Sequence, residues 1–252
     1  MSSLSLSLDY LRREVSDFLA WGRTYLTLSN DQQGRVDSVI ESGLRQFYFP
    51  MPISGETTAH EWSFLTPQAS VTLEAGTNTY DAPVDFGGLV GRMTYAEDTG
   101  RVSVVQTSEY IIRNRYQHEG QSGIASLVAV LPKKELATSK QGFQFVFWPK
   151  PNAADVLTYR YVVQPNKLTQ DTHYPYGGMV HAETILQSCL DVAEARLNDE
   201  QGVQHQRFLQ RLAASIAHDR RLASPGRMGK RGQVGNEDSP SYRTRLVTYT
   251  PR

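Results

Sequence analysis

Cysteine is almost missing: Cys189 stands alone among 252 residues. A single thiol excludes an internal disulfide and any zinc or iron–sulfur site built from several cysteines, and its expected role is that of a small buried hydrophobe. No apolar run approaches the ~20 residues that span a bilayer, and the opening "MSSLSLSLDYLRREVSDF" lacks a basic stretch followed by an apolar core. Neither a membrane span nor a signal peptide is therefore expected, and the chain is read as made in the cytoplasm. Net charge is missing as well. Twenty-six Lys and Arg cancel twenty-six Asp and Glu, so no strong overall field draws the molecule to nucleic acid or to an acidic membrane. There is no Gly-rich phosphate loop and no GxSxG elbow. What is plentiful is tyrosine, thirteen in all, a residue suited to strands and to contact surfaces.

The pattern of apolar residues divides the chain. From Leu8 to about Leu26, the residues Leu8, Leu11, Val15, Phe18 and Leu19 recur at three- and four-residue steps and predict one amphipathic helix. "SND" at 29–31 offers polar side chains to cap a second, which carries Val36, Val39, Ile40, Leu44 and Phe47 and stops at Pro50 and Pro52. Residues 1–55 are thus expected to supply helices of a helical body. From 56 to 165 the period shortens to two in "SVTLE" (70–74), "GLVGRMTY" (88–95), "RVSVV" (101–105), "FQFVFW" (143–148) and "VLTYRYVV" (156–163), with only "TSEYIIRNRY" (107–116) helical between them. This predicts an antiparallel β-sandwich or barrel. Helical spacing returns over 166–223, where Ile185, Leu186, Cys189, Leu190, Ala193 and Leu197 share a face, Phe208, Leu209, Leu212 and Ile216 continue it, and Gly202 interrupts it. Neither terminal set of helices offers much core alone. The fold class expected is therefore α+β: a helical bundle of N- and C-terminal helices with an inserted β-domain.

The last stretch, 224–252, is rich in Gly, Ser and Pro and carries six Arg or Lys against two Asp or Glu. It reads as an extended C-terminal arm. Fixing each of its backbones costs about 1–2 kcal/mol, and few local contacts offset that, so the arm is expected to be ordered against other chains. "YRTRLVTYT" is a plausible strand to add to a partner's sheet edge.

Chemical sites are sparse. Asp85-Phe86-Gly87 has the letters of a kinase magnesium motif, but the Gly-rich loop, strand lysine and HRD-type loop are missing. A turn explains the same letters: Pro83 fixes a backbone, Asp81 and Asp85 can cap turn amides, and Gly87-Gly88 permits unusual conformations. His181-Ala-Glu183 matches half of a zinc deaminase signature without its PCxxC partner and reads better as polar groups at a helix start. His173, His181 and Cys189 lack a familiar ligand spacing. The carboxylates Glu56, Glu61, Asp85 and Glu97 are no more than a β-rich chain of this size supplies. No catalytic, metal or cofactor site is assigned, and an enzyme is not expected. Two other readings stay open on residues alone: a carbohydrate- or receptor-binding tail module using Trp62 and Trp148 as stacking platforms, and a glycan hydrolase.

The order "LRQFYFPMP", "HEWSFLTP", "NTYDAPVDFGGLVG", "FWPKPNAADVLTYRYVVQPNKL", "YPYGGMVHAETILQSCLDVAEARL" resembles head-to-tail adaptor (connector) proteins of tailed bacteriophages over roughly residues 35–200. The resemblance implies a helical body with an inserted β-domain, a dodecameric ring of identical chains beneath the portal, docking of a downstream tail or nozzle protein, and passage of double-stranded DNA without sequence specificity. It places the protein in the virion at the head–tail junction, with no membrane partner. It also implies that Tyr80, Pro83, Asp85 and Phe86 belong to the framework of the β-domain. The arm of Tyr242, Arg243, Arg245, Leu246, Val247 and Tyr249 would grip the portal.

Overall fold

The structure is a computed structural model that describes residues 4–52, 57–96, 100–118, 120–134, 141–199 and 202–223. It is built of helices and open sheets. The N-terminal helices are α1 (Leu8–Phe18) and α2 (Asn30–Tyr48), and the C-terminal ones are α4 (Ala182–Asn198) and α5 (Val203–Ala223). Ser7 caps α1, and Ser29 with Gln32 forms a reciprocal capping box on α2. The first helix is shorter than expected from its periodicity. At Ala20 and Gly22 the backbone turns to positive φ (58° and 87°), and the Trp21 N–H bonds back to the Ser16 carbonyl at 3.0 Å. Local reversal wins over the apolar spacing that runs on into Leu19, and Tyr25 and Leu28 fold back onto the helices.

Leu11, Val15, Val36, Ile40, Phe47, Ile185, Cys189, Phe208 and Leu212 meet in one core, which therefore joins the two ends of the chain. α4 is its axis. One side of α4 packs against α2, where a Cβ on Gly43 would lie 2.7 Å from the Cys189 Cα; glycine is what lets these two helices approach so closely. Another side meets α5 through Thr184 with Ser215, Gln187 with Gln204, and Asp191 with His205. α1 packs on α2 and α4. α4 ends where Asp199 takes a left-handed conformation (φ 55°); Gly202 lies between α4 and α5, where the Glu194 carboxylate fills the space a Cβ would need and accepts the Gln204 N–H at 2.8 Å. Cys189 is fully buried, and burial pushes its thiol up to about 12.

Residues 68–163 hold the strands: β1 (Gln68–Leu73), β2 (Thr79–Asp81), β3 (Phe86–Tyr95), β4 (Val105–Gln106), β5 (Ser122–Gly123), β6 (Leu127–Pro132), β7 (Phe143–Trp148), β8 (Lys150–Pro151) and β9 (Asp155–Val163). They form sheets ordered β1-β9-β3, β2-β7-β6-β4 and β5-β8. No sheet closes, so among the described residues the barrel alternative is not found. The long ladders are antiparallel, but β4 with β6 and β5 with β8 are parallel, a departure from the wholly antiparallel arrangement expected. The strand expected over 101–105 shrinks to a bridge between Val104 and Met93 followed by the two-residue β4. The helix expected near 107–116 is present as α3 (Glu109–His118). Leu73, Phe86, Met93 and Tyr159 from the first sheet meet Val128, Phe145 and Phe147 from the second in a core of their own. Alternation puts those side chains inward along β9, where every second residue is buried from Leu157 to Val163.

Candidate assembly surfaces

The four residues expected in the β framework lie close together. Tyr80 stands on β2, where its hydroxyl accepts the Glu74 N–H at 2.7 Å and donates to the Thr77 carbonyl at 3.0 Å. The Pro83 carbonyl accepts the Phe86 N–H at 3.0 Å and closes a turn. The Asp85 carbonyl accepts the Gln164 N–H at 2.7 Å, and its carboxylate accepts the Tyr161 hydroxyl at 3.1 Å. Phe86 is buried between Phe145 and Tyr161, with ring centroids 5.3 and 5.8 Å away. Burial, helped by Asp85, pushes the Tyr161 hydroxyl up to about 12. The aspartates do not cap turn amides as expected, since Asp81 instead pairs with Lys133 at 2.6 Å. Gly87 is needed for a different reason than positive φ: a Cβ would meet the Val162 carbonyl at 3.0 Å, where β3 bulges against β9.

A second cluster lies between the helices and the segment leading into β1. The Trp62 indole is buried against Phe47 and donates to the Phe47 carbonyl at 2.8 Å. Beside it Asp219, from the last turns of α5, accepts the Ser63 hydroxyl at 2.5 Å, the Ser63 N–H at 3.1 Å and the His60 Nε2 proton at 2.9 Å. Serine, histidine and aspartate are the residue types of a hydrolytic triad, but here both the serine and the histidine bond to the aspartate. No base sits on the serine oxygen, and the arrangement works as a clasp. Burial alone would raise the Asp219 carboxyl; the Ser63 donors and His60 outweigh it and hold it below the usual carboxylate range. His181 stands at the start of α4 as its N-cap residue, with Glu183 in the first turn, and is buried among Phe47, Trp62 and Phe64. Burial pushes its pKa down against the opposing pull of Asp219, and among the described residues its Nδ1 has no hydrogen-bond partner. Sequence reasoning had no handle on this clasp, because His60 and Asp219 are 159 residues apart.

Trp62 and Trp148 are 1% and 7% exposed, so neither can serve as a stacking platform for a sugar. Glu56, Glu97 and the arm residues Tyr242, Arg243, Arg245, Leu246, Val247 and Tyr249 lie outside the described residues. Among those described, no three His, Cys, Asp or Glu are placed to hold a metal, and no helix is long and apolar enough to cross a membrane.

The surface carries contact features of other kinds. Phe49 and Met51, just past α2, are 56% and 86% exposed. Phe49 borders a pocket of about 150 Å³ floored by Leu8, Ile40, Leu44 and Leu168. A wider groove of about 620 Å³ runs between α1 and residues 23–26. The described residues thus show polar ties, a buried core shared by the N- and C-terminal helices, and exposed apolar side chains. The chain belongs to the SU10 adaptor protein family, whose model matches residues 9–229. The resemblance to bacteriophage head-to-tail adaptors drawn from the sequence is thereby borne out, and the protein is a phage structural adaptor. No curated protein matches the chain.

Proposed function

We propose that this chain is the head-to-tail adaptor of a tailed phage: copies form a ring, twelve in number, beneath the portal in the virion neck, offer a docking face to a downstream tail or nozzle protein, and line the channel through which DNA leaves. The observation that carries this reading is the family match over residues 9–229. The division into helices over 1–55 and 166–223, a β-domain over 56–165 and an arm over 224–252 belongs to the same proposal. In it Tyr80, Pro83, Asp85 and Phe86 hold a β2–β3 corner rigid, and the four residues do share one corner held by hydrogen bonds and ring contacts.

The arm grips the portal through backbone pairing, the arginines Arg243 and Arg245, and burial of Tyr242, Leu246, Val247 and Tyr249. The balanced charge of the whole chain suits a channel, because strong phosphate binding would slow DNA exit. A chain ending at Ala223 keeps the whole of α5. It is expected to melt within a few degrees of the full chain and to lose portal binding in a pull-down against the cognate portal ring. Unchanged binding, or an unfolded product, overturns the assignment of the arm.

A further inference from the structure

The two flanks of the helical body carry opposite charge. α1 packs on α2 and α4, and α5 packs on α4 and on the segment at 63–65, so α1 and α5 flank the central pair. The outer side of α1 and the groove beside it, with the ion pairs that reach into them, carry Asp9, Glu14, Asp17, Asp37 and Asp171 against Arg12, Arg13 and Arg23, a net −2. The outer side of α5 presents Arg207, Arg211, Arg220 and Arg221, all exposed, while the one carboxylate of that helix, Asp219, is buried in the clasp; Arg211 pairs with Glu183 of α4 at 3.7 Å, and the face keeps a net +3. Arg207, Arg211 and Arg221 fall at steps of four and ten residues on one stripe, spanning about 21 Å at 1.5 Å per residue.

Local helix physics accounts for only part of each pattern: Asp9 opens α1 and pairs with Arg13, and Arg220 and Arg221 close α5, at the helix ends the dipole favours. A carboxylate in the last turn of a helix faces the negative end of its dipole, and that is where Asp17 sits. Arg207 and Arg211 lie in the N-terminal half of α5, where the dipole gives no advantage to a cation. On the same side Ala213, Ala214 and Ala217 are exposed small residues that let another backbone come close.

We infer that the basic outer face of α5 in one copy docks on the acidic α1 flank of the next copy. This is a heterologous contact, using two different patches, and a contact of that type builds a ring where the rotation between neighbours closes. The inference rests on the ring reading above and supplies the surface and the chemistry of its subunit contact. Complementary charge sets register and speeds encounter, and the groove of about 620 Å³ beside α1, with Tyr10 and Leu26 at its edge, gives the docked helix a place to lie.

The test uses the full chain in three forms: R207E/R211E, E14K/D17K, and the four changes combined. Self-association is followed by native mass spectrometry and sedimentation in low salt, alone and with the portal ring, and thermal melting confirms that each variant is folded. Each pair alone is expected to weaken association at least tenfold, and the combination to restore it to within about threefold of the unsubstituted chain. Association of the unsubstituted chain is also expected to weaken in 0.5 M salt. Rings that form equally well in all three variants overturn the proposed contact and leave the ring reading standing. An unsubstituted chain that stays monomeric, both alone and with portal, overturns both. Duplex DNA retained by the unsubstituted chain and lost in R207E/R211E at unchanged mass would assign the α5 face to nucleic acid and also overturn the contact.

Discussion

The helical and β-rich parts of this chain are stabilised in different ways. The β core is made within one continuous stretch, residues 68–163, and is filled by aromatic rings: Phe86, Phe145, Phe147, Tyr159 and Tyr161 stack or meet edge to face at 5.3–6.4 Å. The helical core draws on both ends of the chain and is pinned by polar ties across long sequence separations. Gln46 donates to Asp191, Ser188 to the Gly43 carbonyl, and Arg196 to Ser38 and Ser42. The β core thus uses contacts local to one stretch, while the helical core needs residues from both the N- and C-terminal helices. The ends of the β region also lie side by side, since Gln68 is paired with Arg160 and the Tyr161 N–H reaches the Pro67 carbonyl.

The comparison breaks most sharply at Gly43. A leucine there must displace the α4 backbone at Cys189, and overpacking of this kind is expected to cost at least the upper end of the 1–3 kcal/mol range. Thermal unfolding should then show the helical signal melting well before a largely intact β signal. Phe86→Ala attacks the other side, at about 3–5 kcal/mol, and near-ultraviolet circular dichroism should report loss of β-domain packing with the helices retained. Equal loss of both signals in either variant would show one cooperative unit instead of two. Asp219→Asn removes the charge that the Ser63 donors and His60 hold, and hydrogen bonds to charged groups contribute about 1.5–3 kcal/mol. Its mark should be faster hydrogen exchange at residues 60–65 and in the last turns of α5.

Acidity gives the smallest and most specific effect. His181 has a folded pKa below its unfolded value, so the unfolded chain binds the proton more readily and stability falls as pH drops below about 6.5. Asp219 has a depressed pKa too; its contribution is present above the usual carboxylate range and is lost only as pH falls through the lower folded value. Melting temperature should decline from pH 7 to 5 and again below about 4. His181→Leu is expected to remove the first decline and leave the second.

Much of this architecture was legible in the residues. Apolar spacing located α2, α4 and α5 because each buries one stripe, and alternation found β1, β3 and β9 because each keeps some residues exposed between buried ones. β6 escaped notice: "LVAVLP" is continuously apolar and offers no period, since its residues are covered on both faces. β2 is three residues long and was absorbed into a turn. The end of α1 was misjudged because backbone reversal at Ala20 leaves no mark on hydrophobic spacing. The clasp of His60, Ser63 and Asp219 exists only once the segment before β1 meets the last turns of α5. No local pattern encodes it.

The most direct test of the adaptor account is the mass of the complex formed when the full chain is mixed with its cognate portal ring. The account gives one portal ring carrying twelve copies, with none bound when the chain ends at Ala223. A portal whose mass does not change, or one that takes up scattered numbers of copies, would contradict it.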